Sequence, residues 1–244
     1  MCIRDSVRIY DYNGSSWVQV GADIDGETLG VITGYVSISS DGSRVAVGAG
    51  QAAQSNSGQV IMYDFNGTAW VKVGGNIVGE SIGDRSGTGG LSLSSDGSIV
   101  AIGAMSNSGN GTYSGHVRVF QYQVISGTAT WTQLGADIDG EAADDISGVR
   151  ISLSSDGSRV AIGAPANDGN GSNSGHVRIY DYNGSAWVQV GADIDGEGAG
   201  DSSGFSVSIS SDGTRIAVGA PSNNDAASDA GHVRVYSLRG EVYK

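Results

Sequence analysis

Cysteine, proline, basic side chains and long apolar runs are all scarce in this chain, and each shortage removes a class of protein. The single cysteine, Cys2, cannot form an internal disulfide, so no disulfide framework exists and redox compartment cannot be read from it. No apolar run approaches the roughly 20 residues that span a bilayer, so membrane insertion is not expected. Thirteen basic residues face 26 acidic ones, a formal charge of −13, which would repel nucleic acid backbones and anionic lipid alike. Two prolines accompany 41 glycines, which suggests turns rather than linkers. Glycine does not fall at every third position, so collagen is excluded, and β-branched runs recur too regularly for a disordered glycine/serine tract.

What is present is a repeat. Ser-Ser-Asp-Gly recurs with its acid at Asp41, Asp96, Asp156 and Asp212, at spacings of 55, 60 and 56 residues. The long interval has one cause: residues 119–134 are four longer than their counterparts 179–190, an insertion at a hairpin tip. Each unit holds four segments of strand character, which in the best copy are 150–154, 159–164, 176–182 and 186–194. Ser-Asp-Gly joins the first two and Asn183-Gly184 the last two, dipeptides that accept the positive φ of tight hairpins. Alternation puts Val36 and Ile38 on one face, whereas Val45-Ala-Val-Gly-Ala is small or apolar on both, as a sheet packed between two others requires. Small residues place the second strand near a crowded axis, and Trp17, Trp70, Trp131 and Trp187 open the fourth where sheets splay.

The expected fold is therefore all-β: a β-propeller-type tandem repeat of four-stranded antiparallel blades. About four blades are present, cut from a larger ring. The boundaries are a half blade at 7–34, blades at 35–89, 90–149 and 150–205, and a partial blade at 206–237. Residues 1–6 (MCIRDS) and 238–244 depart from the pattern and read as a non-native leader and a non-repeat tail. The chain opens and closes on a third strand, so one is surplus, and missing blades of the same chain are the expected partners of these.

The runs Gly204-Phe-Ser-Val-Ser-Ile-Ser-Ser-Asp-Gly213, Arg215-Ile-Ala-Val-Gly-Ala-Pro221 and Gly231-His-Val-Arg-Val-Tyr236 resemble the FG-GAP repeat family. That family includes the amino-terminal propeller of integrin α subunits. The resemblance implies a propeller, usually seven-bladed, acting in adhesion or ligand recognition outside the cell. Its calcium loops are not retained, because Ser39-Ser-Asp-Gly and its equivalents keep little beyond Asp-Gly.

Chemistry is sparser. In Gly-Ala-Asp-Ile-Asp-Gly-Glu the acids Asp193, Asp195, Glu197 and the following Asp201, with Asp137, Asp139, Glu141 and Asp145 one copy earlier, offer oxygens to a hard cation such as Ca²⁺. The competing reading is surface turn acids paired with arginines. His116, His176 and His232 share a repeat position on separate blades, too far from the axis to gather one metal. Arg8, Arg118, Arg178, Arg234, Arg44, Arg159 and Arg215 are expected as interblade partners of acids. Asn13, Asn66, Asn110, Asn170 and Asn183 head sequons that asparagine turns generate by themselves. The histidines do not accompany a plausible nucleophile, so an enzyme is not expected. The functional expectation is a non-catalytic module, extracellular or on the cell surface, binding protein or glycan through propeller-face loops. The alternatives are a structural spacer, suggested by residues 7–27 and 177–197 differing only at Ser16 against Ala186, and a polysaccharide-active propeller enzyme.

Overall fold

The computed structural model describes residues 6–26, 33–49, 56–228, 230–239 and 242–243, and these contain strands, turns and a single 3₁₀ residue. Most of the leader, 1–5, lies outside them. The amino-terminal half blade is two ribbons: β1 (Ser6–Val7) pairs β4 (Ile24–Asp25), and β2 (Tyr10–Tyr12) pairs β3 (Trp17–Gln19). Three five-stranded antiparallel sheets follow. The first holds β5 (Thr33–Ile38), β6 (Arg44–Ala49), β7 (Gln59–Phe65), β8 (Trp70–Lys72) and β9 (Ile77–Val78). The second holds β10 (Leu91–Leu93), β11 (Ile99–Ala104), β12 (His116–Ile125), β13 (Thr128–Gln133) and β14 (Ile138–Asp139). The third holds β15 (Arg150–Leu153), β16 (Arg159–Ala164), β17 (His176–Tyr182), β18 (Trp187–Gln189) and β19 (Ile194–Asp195). The last sheet is β20 (Ser206–Ile209), β21 (Arg215–Ala220), β22 (His232–Arg239) and β23 (Val242–Tyr243). The first strands β5, β10, β15 and β20 lie side by side, the arrangement of propeller blades about an axis.

Two expectations about strands change in detail. The fourth segment is not one strand: β18 and β19 both pair with β17, at opposite ends, and Gly191 at φ 73° breaks the run between them. The tail contributes to a blade, since Val242 and Tyr243 pair with Arg239 and Leu238. The four-residue insertion lengthens the β12–β13 hairpin as its position suggested, turning through Ser126 and Gly127, both at positive φ.

The apolar core lies between the blades as three clusters. Each combines the second and third strands of one blade with the first and second of the next. Ala46, Val60 and Met62 meet Leu91, Leu93, Val100 and Ile102. Ala101, Val117 and Val119 meet Ile151, Leu153, Val160 and Ile162. Ala161, Val177 and Ile179 meet Ile216 and Val218. Close approach explains the second-strand glycine of the three five-stranded blades: a Cβ on Gly48 or Gly103 would stand 2.0 Å from the carbonyl oxygen of Gly87 or Gly148, and one on Gly163 2.1 Å from that of Gly204.

Polar groups stitch the same seams. Asp41 accepts from the hydroxyls of Ser39 and Ser43 and the amide of Ser43, which makes the repeated Ser-Ser-Asp-Gly a closed turn. From that turn Ser40 donates its amide to Ser95, Ser95 to Ser155, and Ser155 to Ser211. At the outer rim the indoles of Trp70, Trp131 and Trp187 donate to the carbonyls of Val20, Val73 and Leu134 in the preceding blade. The arginines divide into two groups. Arg44 and Arg159 hold Asp64 and Asp181 of their own blade in two-pronged pairs and reach the next blade through the carbonyls of Gly97 and Gly213, with the Arg44 guanidinium also lying over the Tyr122 ring. Arg118, Arg178 and Arg234 do cross a seam, to Glu80, Glu141 and Glu197 of the blade before.

Candidate functional site

One end of the array is made of two families of loops: those joining second to third strands (105–115, 165–175, 221–228) and those joining blade to blade (79–90, 140–149, 196–205). Asn110 ties them by donating to the carbonyls of Gly140 and Glu141, and Asn170 repeats this with Gly196 and Glu197. These two sequon asparagines are therefore loop clamps, whereas Asn13, Asn66 and Asn183 close turns by accepting backbone amides. The blade-to-blade loops hold non-glycine residues in the left-handed region, Arg85, Ile146 and Ser202 at φ 55°, 50° and 55°. Buried acids fix these loops. Asp84, Asp145 and Asp201 accept the amides of Ser81, Ala142 and Gly198 at 2.8–2.9 Å. Asp145 and Asp201 also accept from the buried side chains of Asn167 and Asn223.

The acids expected to share one cation go to four places. Asp145 and Asp201 are the loop fasteners just described. Asp137 and Asp193 turn toward the histidine of their own blade. Glu141 and Glu197 cross the seam to the histidine of the next. Asp139 and Asp195 sit opposite His116 and His176 in the β12–β14 and β17–β19 pairings. The quartet Asp193, Asp195, Glu197 and Asp201 is thus not one centre, and neither is Asp137, Asp139, Glu141 and Asp145. Gly140 and Gly196 allow the divergence: a Cβ on either would strike the carbonyl of Ser114 or Ser174 at 2.0 Å, so the chain passes there only as glycine.

What the fold assembles instead is a histidine between two carboxylates, at three of the seams. Among the described residues Glu80, His116 and Asp137 form one such group, Glu141, His176 and Asp193 the second, and Glu197, His232 and Asp225 the third, with potential ligand atoms within 4.8 Å of one another. His116 Nδ1 stands 3.6 Å from Asp137 Oδ2 and 4.0 Å from Glu80 Oε2, and His176 Nδ1 3.6 Å from Asp193 and 3.8 Å from Glu141. Both imidazoles are 1% exposed, while His232 is 24% exposed. The Nε2 atoms of all three are buried without a hydrogen-bond partner. Burial pushes the imidazoles of His116 and His176 below their ordinary pKa and pushes the Glu80 carboxyl up.

In the first two groups each carboxylate has one oxygen engaged elsewhere. Gln133 donates to Asp137 Oδ1 at 2.7 Å and Gln189 to Asp193 Oδ1 at 2.6 Å, while Arg118 and Arg178 hold Oε1 of Glu80 and Glu141 at 3.5 and 3.6 Å. The other oxygen of each acid faces the imidazole. Glu80, His116 and Asp137 line a cavity of about 380 Å³ with Asp84, Asp139 and Asn107. A neighbouring cavity of about 390 Å³ shares Ile82, Ser106 and Ser108 with it and adds Arg85, Thr112 and Tyr113. Read separately, the histidines and acids of the sequence gave no hint of meeting. Their common signal is a concerted exchange in the copy at 35–89, where His, Arg and Asp are replaced together by Gln59, Ile61 and Asn76.

Fold and seams together define a β-propeller arrangement of antiparallel blades, without helices among the described residues. No family model matches the chain, and no curated protein matches its sequence. Solved structures do match in shape. Hydrazine synthase of Kuenenia stuttgartiensis aligns at TM-score 0.59 and 16% identity over 97% of this chain and 66% of its own. A candidate 6-phosphogluconolactonase of Bacteroides fragilis aligns at 0.61 and 14% over 98% and 63%, and a candidate TolB of Agrobacterium tumefaciens at 0.53 and 14% over 97% and 66%. The chain spans just under two thirds of the length of each. At such identities the similarity shows the fold alone.

Proposed function

We propose that the chain is a non-catalytic binding module, part of a longer propeller at the cell exterior, which engages protein or glycan through its loop face. The observation behind this reading is the pair of adjoining cavities around Ile82, Ser106 and Ser108. Ile82 is 79% exposed and Tyr113 52%, an apolar and an aromatic platform beside polar loops. Their counterparts in the other copies are Ala143, Ala199 and Asn173. The strands repeat almost unchanged while these loops differ, which favours recognition over a plain spacer. The resemblance to FG-GAP repeats points the same way. A lactonase role by analogy with one fold neighbour is disfavoured, since a phosphorylated sugar acid would meet Glu80, Asp84, Asp137 and Asp139 in the first cavity. The test is binding to glycan and peptide arrays by the chain and by its Ile82→Ser/Tyr113→Ala variant. Signal on defined ligands that the variant loses supports the reading. Signal that survives in the variant, or its absence from both, overturns it.

A further inference from the structure

We propose that the two interior seams are sites for a borderline divalent metal ion of the Zn²⁺ type, one held by Glu80, His116 and Asp137 and the other by Glu141, His176 and Asp193. The inference is independent of the loop-face reading. It begins with a contrast inside the chain. In the copy at 35–89 the corresponding pair is Gln59 and Asn76, and the two bond directly, Asn76 Nδ2 to Gln59 Oε1 at 2.8 Å. In the half blade the pair is Ser6 and Asp23, and Arg8 takes up the acid at 2.9 Å. Only where histidine is present does the pair stay apart. His116 and His176 point Nδ1 at two carboxylate oxygens each, at 3.6–4.0 Å, beyond hydrogen-bond reach although the rings are almost wholly buried.

That spacing suits ligands around a shared ion. Bonds of about 2.0–2.2 Å from zinc to nitrogen and oxygen leave adjacent ligand atoms roughly 3–4 Å apart. The donor set selects the ion class: one imidazole with two carboxylates fits a first-row divalent metal, whereas Ca²⁺ asks for six to eight oxygens. A supporting shell is already in place. Gln133 and Arg118 hold the outward oxygens of Asp137 and Glu80, and Gln189 and Arg178 those of Asp193 and Glu141, so each acid is turned toward the imidazole. The cavity of about 380 Å³ gives entry from solvent to the His116 group and leaves room for water to complete the coordination. The group at His232 differs, because its second acid is the loop residue Asp225 and its imidazole is a quarter exposed. An ion at either interior seam would join two blades, since Glu80 and Glu141 belong to the blade before their histidine.

The chain itself supplies the control substitution. His116→Gln with Asp137→Asn, and His176→Gln with Asp193→Asn, rebuild the Gln59–Asn76 pair that one seam already carries. The full chain, stripped with chelator, is titrated with Zn²⁺ by calorimetry and with Co²⁺ by visible absorption, beside the four-substitution variant and a Ca²⁺ arm. Circular dichroism and the melting temperature of the metal-free proteins establish that the variant folds. The expected result is that Zn²⁺ raises the melting temperature of the parent and that the variant binds about two fewer equivalents, with loss of ligand-field bands from bound Co²⁺. Absence of Zn²⁺ binding by the parent, an unchanged stoichiometry in the folded variant, or a preference for Ca²⁺ over Zn²⁺ would overturn it. Should the four-substitution variant fail to fold, the two seams are exchanged one at a time, each expected to remove about one equivalent; retention of full stoichiometry by both overturns the proposal.

Discussion

The third strands of two adjacent blades have nearly the same sequence and opposite surroundings. In β17, Val177 and Ile179 are 0% and 1% exposed beneath Ile216 and Val218; in β22, their counterparts Val233 and Val235 are 68% and 65% exposed. The other face of the two strands is alike: Arg178 and Arg234 both reach back to the preceding blade. Local sequence therefore sets the strand and its backward contacts. Burial of its forward face is conferred by whatever blade comes next. The energy of this fold resides in its seams, and a residue's worth depends on how many seams it touches.

The strongest way to break the comparison is a methyl group on the second-strand glycine. In Gly163→Ala the new Cβ meets the backbone carbonyl of Gly204, which cannot move without parting the blades, and a loss of roughly 3 kcal/mol or more is expected in urea denaturation. In Gly219→Ala it meets first the rotatable hydroxyl of Ser206, so the loss should stay below about 1 kcal/mol. Next in size, Ile179→Ala should cost about 2–5 kcal/mol. Val235→Ala should lie within about 0.5 kcal/mol of the parent, and an equal cost at both positions would show that the forward face of β22 is covered.

A smaller contrast uses the rim. Trp131→Phe removes an indole donor to Val73 and should cost about 1 kcal/mol, whereas Trp17, 69% exposed, should be replaceable by Phe without measurable loss. The smallest effect should be blind to position, because the acid turn is complete within each blade. The carboxyls of Asp41 and Asp212 are held down to about 2, the first chiefly by the amide of Ser43 and the second by the hydroxyl of Ser210, and Asp156 is lowered by the amide of Ser158. A carboxyl depressed in the folded state stabilises above its unfolded value of about 3.9 and loses that contribution as pH falls through the folded value. Acid unfolding followed between about pH 4 and pH 2 should therefore shift in the same direction and by a similar amount in Asp156→Asn and Asp212→Asn.

The blade was legible because its signals are local. A period near 56, alternation in β15 and glycine turns all lie within a few residues of the bonds they cause. The break between β18 and β19 was less so, since Gly191 reads equally as a strand residue or a bend until its φ is known. The site was legible only in its parts. Glu80 and His116 stand 36 positions apart and meet because one blade's exit loop lies against the next blade's third strand, a distance set by stacking rather than by any motif. The acids that do form a motif, Asp193 to Asp201, are adjacent in sequence and separate in space.

The serine turns carry one more implication. Ser40 gives its amide to Ser95, Ser95 to Ser155 and Ser155 to Ser211, always forward and always between equivalent positions. A chain bonded in this way resembles a polymer with a fixed direction whose every junction is interchangeable. Cutting out or duplicating any stretch one period long, begun at any point in the unit, joins a seam of the kind already present. Such a gene can lengthen or shorten by whole periods without a new interface having to arise.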